Sequence, residues 1–279
     1  MRSLIAVPLA AAALAAGLAV ADDSPPDAPR AYDVSGTAVV GVRPTGVGLP
    51  KLGIPGTTAA ADYATKLTQY HDSGQYDRDL AAVDASARAA IEAQLAARST
   101  RTCTPRYTKV KRAKGKPVLY KRNQTCTTTP GPPAKPALVL DIDDTALSNY
   151  RGMAAAGFTA PSIVVDTLSG TATAIAPTRD LYDWAKGRGV AVIFVTARPT
   201  SLESITEANL RAQGFDGWAK LYLKPSGVGT LGYKTGAREE IEKAGYTIVA
   251  NVGDQESDLA GGHAQASFKL PNPFYFTAE

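Results

Sequence analysis

The sequence has little cysteine and little histidine, two of each in 279 residues. Cys103 and Cys126 have 22 residues between them, and neither His71 nor His263 lies near them, so these residues offer no zinc site. Long apolar runs are also scarce. One occurs, Ser3 to Ala21, behind Met1 and Arg2 and ending in Ala19-Val20-Ala21, a small-x-small pattern. It reads as a secretory signal over residues 1–21. The run is nearly long enough to span a bilayer, but Pro8 and the weakly apolar alanines favour cleavage over a stable membrane anchor. No cysteine lies near residue 21 to carry a lipid. In an exported chain an isolated cysteine pair is expected to form one disulfide, worth roughly 3 kcal/mol for a loop of this size in the chain-entropy picture. Acids are missing from one stretch: Arg98 to Arg122 contains ten Lys or Arg and no Asp or Glu. The other basic residues are outnumbered by the 26 acids, so the net charge of +4 combines an acidic body with one basic appendage. No internal repeat is evident. Hydrophobic content of 44% and charged content of 20% are ordinary for a soluble globular protein.

What is there is organised around Ala137 to Thr145, ALVLDIDDT. A short apolar run opened by Pro136 and closed by acids reads as a central parallel strand. Asp141 and Asp143 then fall at its carboxyl end, where open α/β sheets bind ligands. A second apolar run, Thr247 to Val252, leads into Gly253 to Asp258, GDQESD. Carboxylates crowded at two strand ends repel one another unless a cation sits among them, which points to a hard-metal site.

Around that centre the chain divides into a Pro/Gly/Thr-rich linker or arm over residues 22–60 and a domain over 61–279. Tyr63, Leu67 and Tyr70 are spaced for one helix, and Leu80, Val83, Ala87, Ile91 and Leu95 for a second after Ser73-Gly74. Arg106 to Arg112 and Val118 to Arg122 read as two short strands of a basic hairpin, inserted over 99–135 and clasped by the cysteines. After Thr145 the elements alternate: helix Thr178–Arg188, strand Val190–Val195, helix Thr200–Gln213, strand Ala219–Leu223, helix Thr235–Ala244, strand Thr247–Val252, and an edge at Ser267–Leu270. Such alternation predicts a doubly wound, mainly parallel α/β fold with helices on both faces.

Taken in order, Asp141, Asp143, Thr196, Lys234, Asp254 and Asp258 sit at strand ends or helix starts. With LVLDIDDTALSNY (138–150), VIFVTARP (192–199), WAKLYLKP (218–225), YKTGAREEIEKAGY (233–246), VGDQESDL (252–259) and KLPNPFYF (269–276), the chain resembles the haloacid dehalogenase superfamily. The resemblance is strongest to its secreted acid phosphatases, the class B, class C and plant vegetative storage protein-like group. It covers about residues 62–98 and 136–279. It implies a Rossmann-like fold, Mg²⁺, and phosphomonoester substrates such as nucleotides. The basic insertion and the segment Phe158 to Pro177 depart from the group's pattern, which leaves substrate preference most open.

The chemistry has reasons of its own. Phosphate monoesters hydrolyse very slowly unaided, so a nucleophile, an acid and charge neutralisation must act together. Asp141 is the expected nucleophile, forming an aspartyl-phosphate. Asp143 is the expected proton donor and later base, which favours a mildly acidic working pH. Thr196 and Lys234 would hold phosphoryl oxygens. Asp141, Asp254 and the backbone carbonyl of Asp143 would hold Mg²⁺, with Asp258 behind them or acting through water. Bland readings stand beside these. Thr196 could cap the strand end, and Lys224 competes with Lys234. Arg198 either anchors the following helix or touches phosphate, and Asp144 and Glu256 read as solvated turn residues. Tyr150 is near enough to the nucleophile to stack on a substrate, and both histidines read as structural or surface residues. The connections 146–177 and 197–233 are too short for a large cap domain, so an open, broadly accepting site is expected. Two further functions fit: a non-enzymatic binding or storage protein gripping an anionic polymer through Arg98–Arg122, and a phosphotransferase or mutase, against which export argues.

Overall fold

The computed structural model describes residues 29–34, 36–41, 61–110, 114, 119–158 and 165–275. The leader read over residues 1–21 lies outside them. Two strands, β1 (Arg30–Val34) and β2 (Thr37–Gly41), come first and pair antiparallel. They belong to the segment read as a linker or arm, yet they extend the main sheet: Val34 and Val39 are buried with Leu259 and Ala260. That reading is corrected for residues 30–41. Their alternation is short and offset by Thr and Gly, which hid it among turn-like residues.

The helices α1 (Ala61–Asp72) and α2 (Gln75–Leu95) break at Gly74, whose φ of 74° glycine adopts without a Cβ penalty. Then come β3 (Thr100–Val110) and β4 (Leu119–Thr129), an antiparallel ribbon longer than the sequence pattern indicated, with Cys103 opposite Cys126 and disulfide-bonded. The central strand β5 (Pro136–Leu140) follows. A small excursion holds β6 (Leu147–Ser148), α3 (Tyr150–Ala155), α4 (Val165–Ser169) and β7 (Thr173–Ala174). The chain then alternates through α5 (Ala176–Gly187), β8 (Ala191–Pro199), a single 3-10 turn, α6 (Glu203–Ala212), β9 (Lys220–Lys224), α7 (Thr230–Lys243), β10 (Thr247–Gly253), α8 (Glu256–Leu259) and β11 (Ser267–Lys269). No large cap occurs among the described residues.

Seven strands form the sheet in the order β1-β2-β11-β10-β5-β8-β9, parallel throughout except β1 with β2. The segment read as an edge, β11, is internal, because β2 covers its outer side. Both faces of β5 are buried. Leu138 and Leu140 pack toward α2 and α5, while Ala137 and Val139 pack toward Ala237 and Ile241 of α7. This two-sided burial is why β5 reads as a continuous apolar run rather than an alternating one. The chain leaves β5 to one side for β8 and comes back on the other as β10, so the order reverses between β5 and β10. Ligands bind outside the carboxyl ends of strands at such a switch point.

Candidate active site

Register puts the strand ends level. Leu140 pairs with both Val252 and Phe194, so Asp141, Asp254 and Thr196 emerge at the same edge of the sheet. The Asp141 N–H donates to the Val252 carbonyl at 3.1 Å, tying the first residue beyond β5 to the end of β10. Asp258 approaches from α8, where its carboxylate accepts from the Gln255 N–H at 2.8 Å. That approach requires Gly253: a Cβ there would stand 2.3 Å from the Asp258 Cβ.

Lys234 supplies the cation. It lies in the second turn of α7, which starts at Thr230 rather than at Thr235 as its sequence pattern suggested. Its ammonium is 2.7 Å from Asp141 Oδ1 and also bonds Asp258 Oδ1. Burial alone would depress the Lys234 pKa, but Asp141, Asp258 and the hydrogen bonds to them outweigh it and leave the group raised. The competing residue, Lys224, donates to the Val228 carbonyl instead.

Asp141 and Asp143 differ sharply in environment. Burial raises the Asp141 carboxyl well above its ordinary value; Lys234 opposes this, while Asp258, Asp254 and Asp143 add to it. Burial would raise Asp143 too, but Arg198 reverses it. Arg198 grips Asp143 with two nitrogens, Nη2 to Oδ1 at 2.8 Å and Nε to Oδ2 at 3.0 Å, and Asn149 and Thr167 donate at 3.0 and 3.1 Å. The net effect holds Asp143 below the usual carboxylate range. Arg198 also donates to Thr206 of α6 at 3.4 Å, so it both anchors the helix and reaches the site.

Two sequence readings change here. Asp144 is fully buried, not a solvated turn residue. It turns the chain at φ 51°, and its carboxylate accepts from the Asn149 backbone at 3.0 Å and side chain at 3.1 Å. Burial, then the Asp254 charge, pushes it up to about 7 against those donors. Tyr150 does not line the cleft; it stacks on His71 with ring centroids 3.4 Å apart, and its hydroxyl donates to Asp72. Glu256 is exposed, and His263 pairs with Glu242.

One carboxylate oxygen from each of Asp141, Asp254 and Asp258 lies within 4.8 Å of the others. Burial and the Asp258 charge raise Asp254 to about 6, although Asn272 and Gln255 donate to it. Three buried oxygen donors that repel one another fit a hard divalent cation. The Asp143 carboxylate stands apart with Arg198, leaving its backbone carbonyl for the metal role read from the sequence. Asp258, placed behind the other ligands by that reading, sits in the trio itself. Thr196 is buried and its hydroxyl accepts from the Arg198 N–H at 3.1 Å; Ala197, not Thr196, lines the cleft.

The cleft, about 330 Å³, is bordered by Asp141, Asp143, Arg198, Lys234, Asp254 and Tyr275. Tyr275 and the Asp254 donor Asn272 were not singled out from sequence. Their one signal is LPNP, where Asn272 accepts from the Phe274 and Tyr275 N–H groups in a tight turn.

The family model for HAD superfamily subfamily IIIB, acid phosphatase, matches residues 54–278. The chain belongs to that family. Among relatives of this subfamily IIIB member, the stem 28 kDa glycoprotein of Glycine max is 39% identical over 51% of this chain and 60% of that protein. Vegetative storage protein 1 of Arabidopsis thaliana is 38% identical over 50% and 54%. Acid phosphatase 1 of Solanum lycopersicum is 36% identical over 50% and 58%. The chain thus spans little more than half the length of the curated relatives it matches. The class C acid phosphatase from Bacillus anthracis shares the fold, with a TM-score of 0.54 at 20% identity over 76% of this chain and 86% of that one.

Proposed function

We propose that this subfamily IIIB protein is an exported, Mg²⁺-dependent acid phosphatase that hydrolyses phosphate monoesters through an aspartyl-phosphate. One observation carries the reading. A strand-end carboxylate, Asp141, is held by a buried lysine beside a second carboxylate two residues on, and both face one cleft. An Asp141 oxygen attacks phosphorus and the ester oxygen departs with a proton from Asp143. Asp143 then takes a proton from water, whose oxygen attacks the phosphoryl group and frees Asp141. Lys234 opposes the protonation that burial favours at Asp141 and presents positive charge to the phosphoryl oxygens. Asp141, Asp254, Asp258 and the Asp143 carbonyl would hold Mg²⁺, which when bound neutralises charge on the transferred group. Export rests on the leader-like residues 1–21. Among the described residues no helix is long and apolar enough to cross a membrane.

The test is a panel of nucleotides, sugar phosphates and phosphoamino acids, with and without Mg²⁺, on wild type and Asp141→Asn. Wild type should release phosphate only with Mg²⁺, and the folded variant should be inactive. A folded variant within tenfold of wild type would overturn the assignment. A relative named as a storage protein keeps a second reading in view, a non-catalytic scaffold; an inactive wild type across the panel would favour it.

A further inference from the structure

The basic ribbon takes no part in the site just described. It leaves after α2 and rejoins the chain at the amino end of β5, whereas the cleft lies at that strand's carboxyl end. Every residue of β3 is exposed, and β4 is exposed from Tyr120 to Thr129 except for half-buried Cys126. A two-stranded ribbon with no buried face is marginal in water, and here the Cys103–Cys126 bond keeps its strands paired. It therefore adds nothing to the core but holds a surface in fixed register.

That surface is patterned. Side chains alternate across a strand, so directly opposed pairs at every second position share a face. One face carries Arg101 opposite Thr128, then the disulfide, Pro105 opposite Gln124, Tyr107 opposite Arg122, and Lys109 opposite Tyr120. Tyr107 and Tyr120 are each 61% exposed and lie diagonally, about 7–8 Å apart at Cα, with Arg122 and Lys109 on the other diagonal. No acid occurs between Glu92 and Asp141, and the connecting residues 111–118 add Lys111, Arg112, Lys114 and Lys116. Among the described residues none of Arg101, Arg106, Lys109, Lys121 and Arg122 is committed to an ion pair. Exposed rings interleaved with free cations suit a ligand that has both flat apolar faces and regular negative charge. Single-stranded nucleic acid has both. A membrane is disfavoured because the other face is Arg106, Asn123, Lys121 and threonines, with nothing aliphatic to enter the acyl region before Val110.

We propose that this face binds single-stranded nucleic acid, Tyr107 and Tyr120 stacking on bases while Arg122, Lys109 and Arg101 hold phosphates. The surface is an attachment site remote from the cleft, so occupancy and hydrolysis are separable. The test is fluorescence anisotropy of the full chain with a fluorescein-labelled oligothymidylate of about 20 nucleotides, longer than the ~4–16 nucleotides of a single-strand site. Tyr107→Ala and Tyr120→Ala should each weaken binding about tenfold. The pair Lys109→Gln and Arg122→Gln should lower the slope of log affinity against log salt by ~1.4. All variants should retain wild-type hydrolysis of p-nitrophenyl phosphate, which also reports that they fold. Absence of binding at about 50 mM salt would overturn the proposal, as would tyrosine variants that bind like wild type. So would tighter binding of duplex DNA, inorganic polyphosphate or anionic phosphatidylserine vesicles than of the oligonucleotide.

Discussion

Asp84 offers a clean test of how burial couples to stability, away from the acidic cluster. It sits on α2 at 4% exposure, accepting from the Thr178 hydroxyl at 3.0 Å through one oxygen, while the other has no partner among the described residues. Burial pushes its carboxyl up to about 7; the Thr178 hydrogen bond and Arg88 oppose this, and Asp180 adds to it. The folded value lies above the unfolded one, so between the two the native state keeps a proton that the unfolded chain has lost. Stability conferred by this group is therefore greatest at low pH and falls as pH rises toward 7. The full cost is roughly 4 kcal/mol above pH 7, since one pH unit corresponds to about 1.4 kcal/mol. Asp84→Asn removes the charge, retains an acceptor for Thr178, and does not titrate. Urea unfolding of both proteins at about pH 5 and pH 8 should show the variant gaining on wild type by roughly 2 to 3 kcal/mol across that interval. A difference that does not change with pH, or that moves the other way, would refute the reasoning.

Two predictions concern the site. Arg198→Met removes the charge that overrides burial at Asp143, letting that carboxyl keep its own proton, so activity on an alkyl phosphate should persist to higher pH than in wild type by about 1 to 3 units; an unmoved profile would mean Arg198 does not set the protonation of Asp143. Added Mg²⁺ should raise the wild-type Tm, by about 2.7 kcal/mol of stabilisation at a hundredfold excess over Kd, and Asp254→Asn should abolish most of that rise. An equal rise in both proteins would place the cation elsewhere.

The parts legible in the sequence share one cause. Where burial is two-sided, as in β5 and β8, the apolar run is unbroken and its end is marked by the first polar residue, so Asp141 and Thr196 stand out; β10 carries buried Asn251 within it, and Asp254 is marked instead by the acids that follow Gly253. Other parts depended on partners distant in sequence. The hairpin β1–β2 is recognisable only once β11 offers its outer edge. Asp144 looks solvated in the string DIDDT, and becomes buried because the chain turns back through Leu147 and brings Asn149 onto its carboxylate. Arg198 had two readings, anchoring the next helix or touching phosphate; it reaches Thr206 of α6, and the rest of its guanidinium grips Asp143, a partner that neither reading named. Asn272 reaches Asp254 across 18 residues, from a turn whose motif announced only a turn.

The environments of the two carboxylates revise where the proton comes from. A proton donor should hold its proton at working pH, as sequence reasoning required of Asp143, yet Arg198 keeps that carboxyl ionised in the free site. The hypothesis that follows is that the substrate brings the proton. A phosphate monoester has a second pKa near 6, so below about that pH it arrives as a monoanion. Asp143, poised as a base 2.8 Å from its guanidinium partner, can take that proton on binding and pass it to the leaving oxygen. An acidic optimum then reflects the ionisation of the substrate rather than of Asp143. Substrates with good leaving groups need no proton at the ester oxygen, so kcat for p-nitrophenyl phosphate should fall less above pH 6 than kcat for an alkyl phosphate. Measuring kcat against pH for both substrates decides it. Parallel profiles would show that Asp143 carries its own proton into the reaction, and that the pairing with Arg198 is broken when the substrate binds.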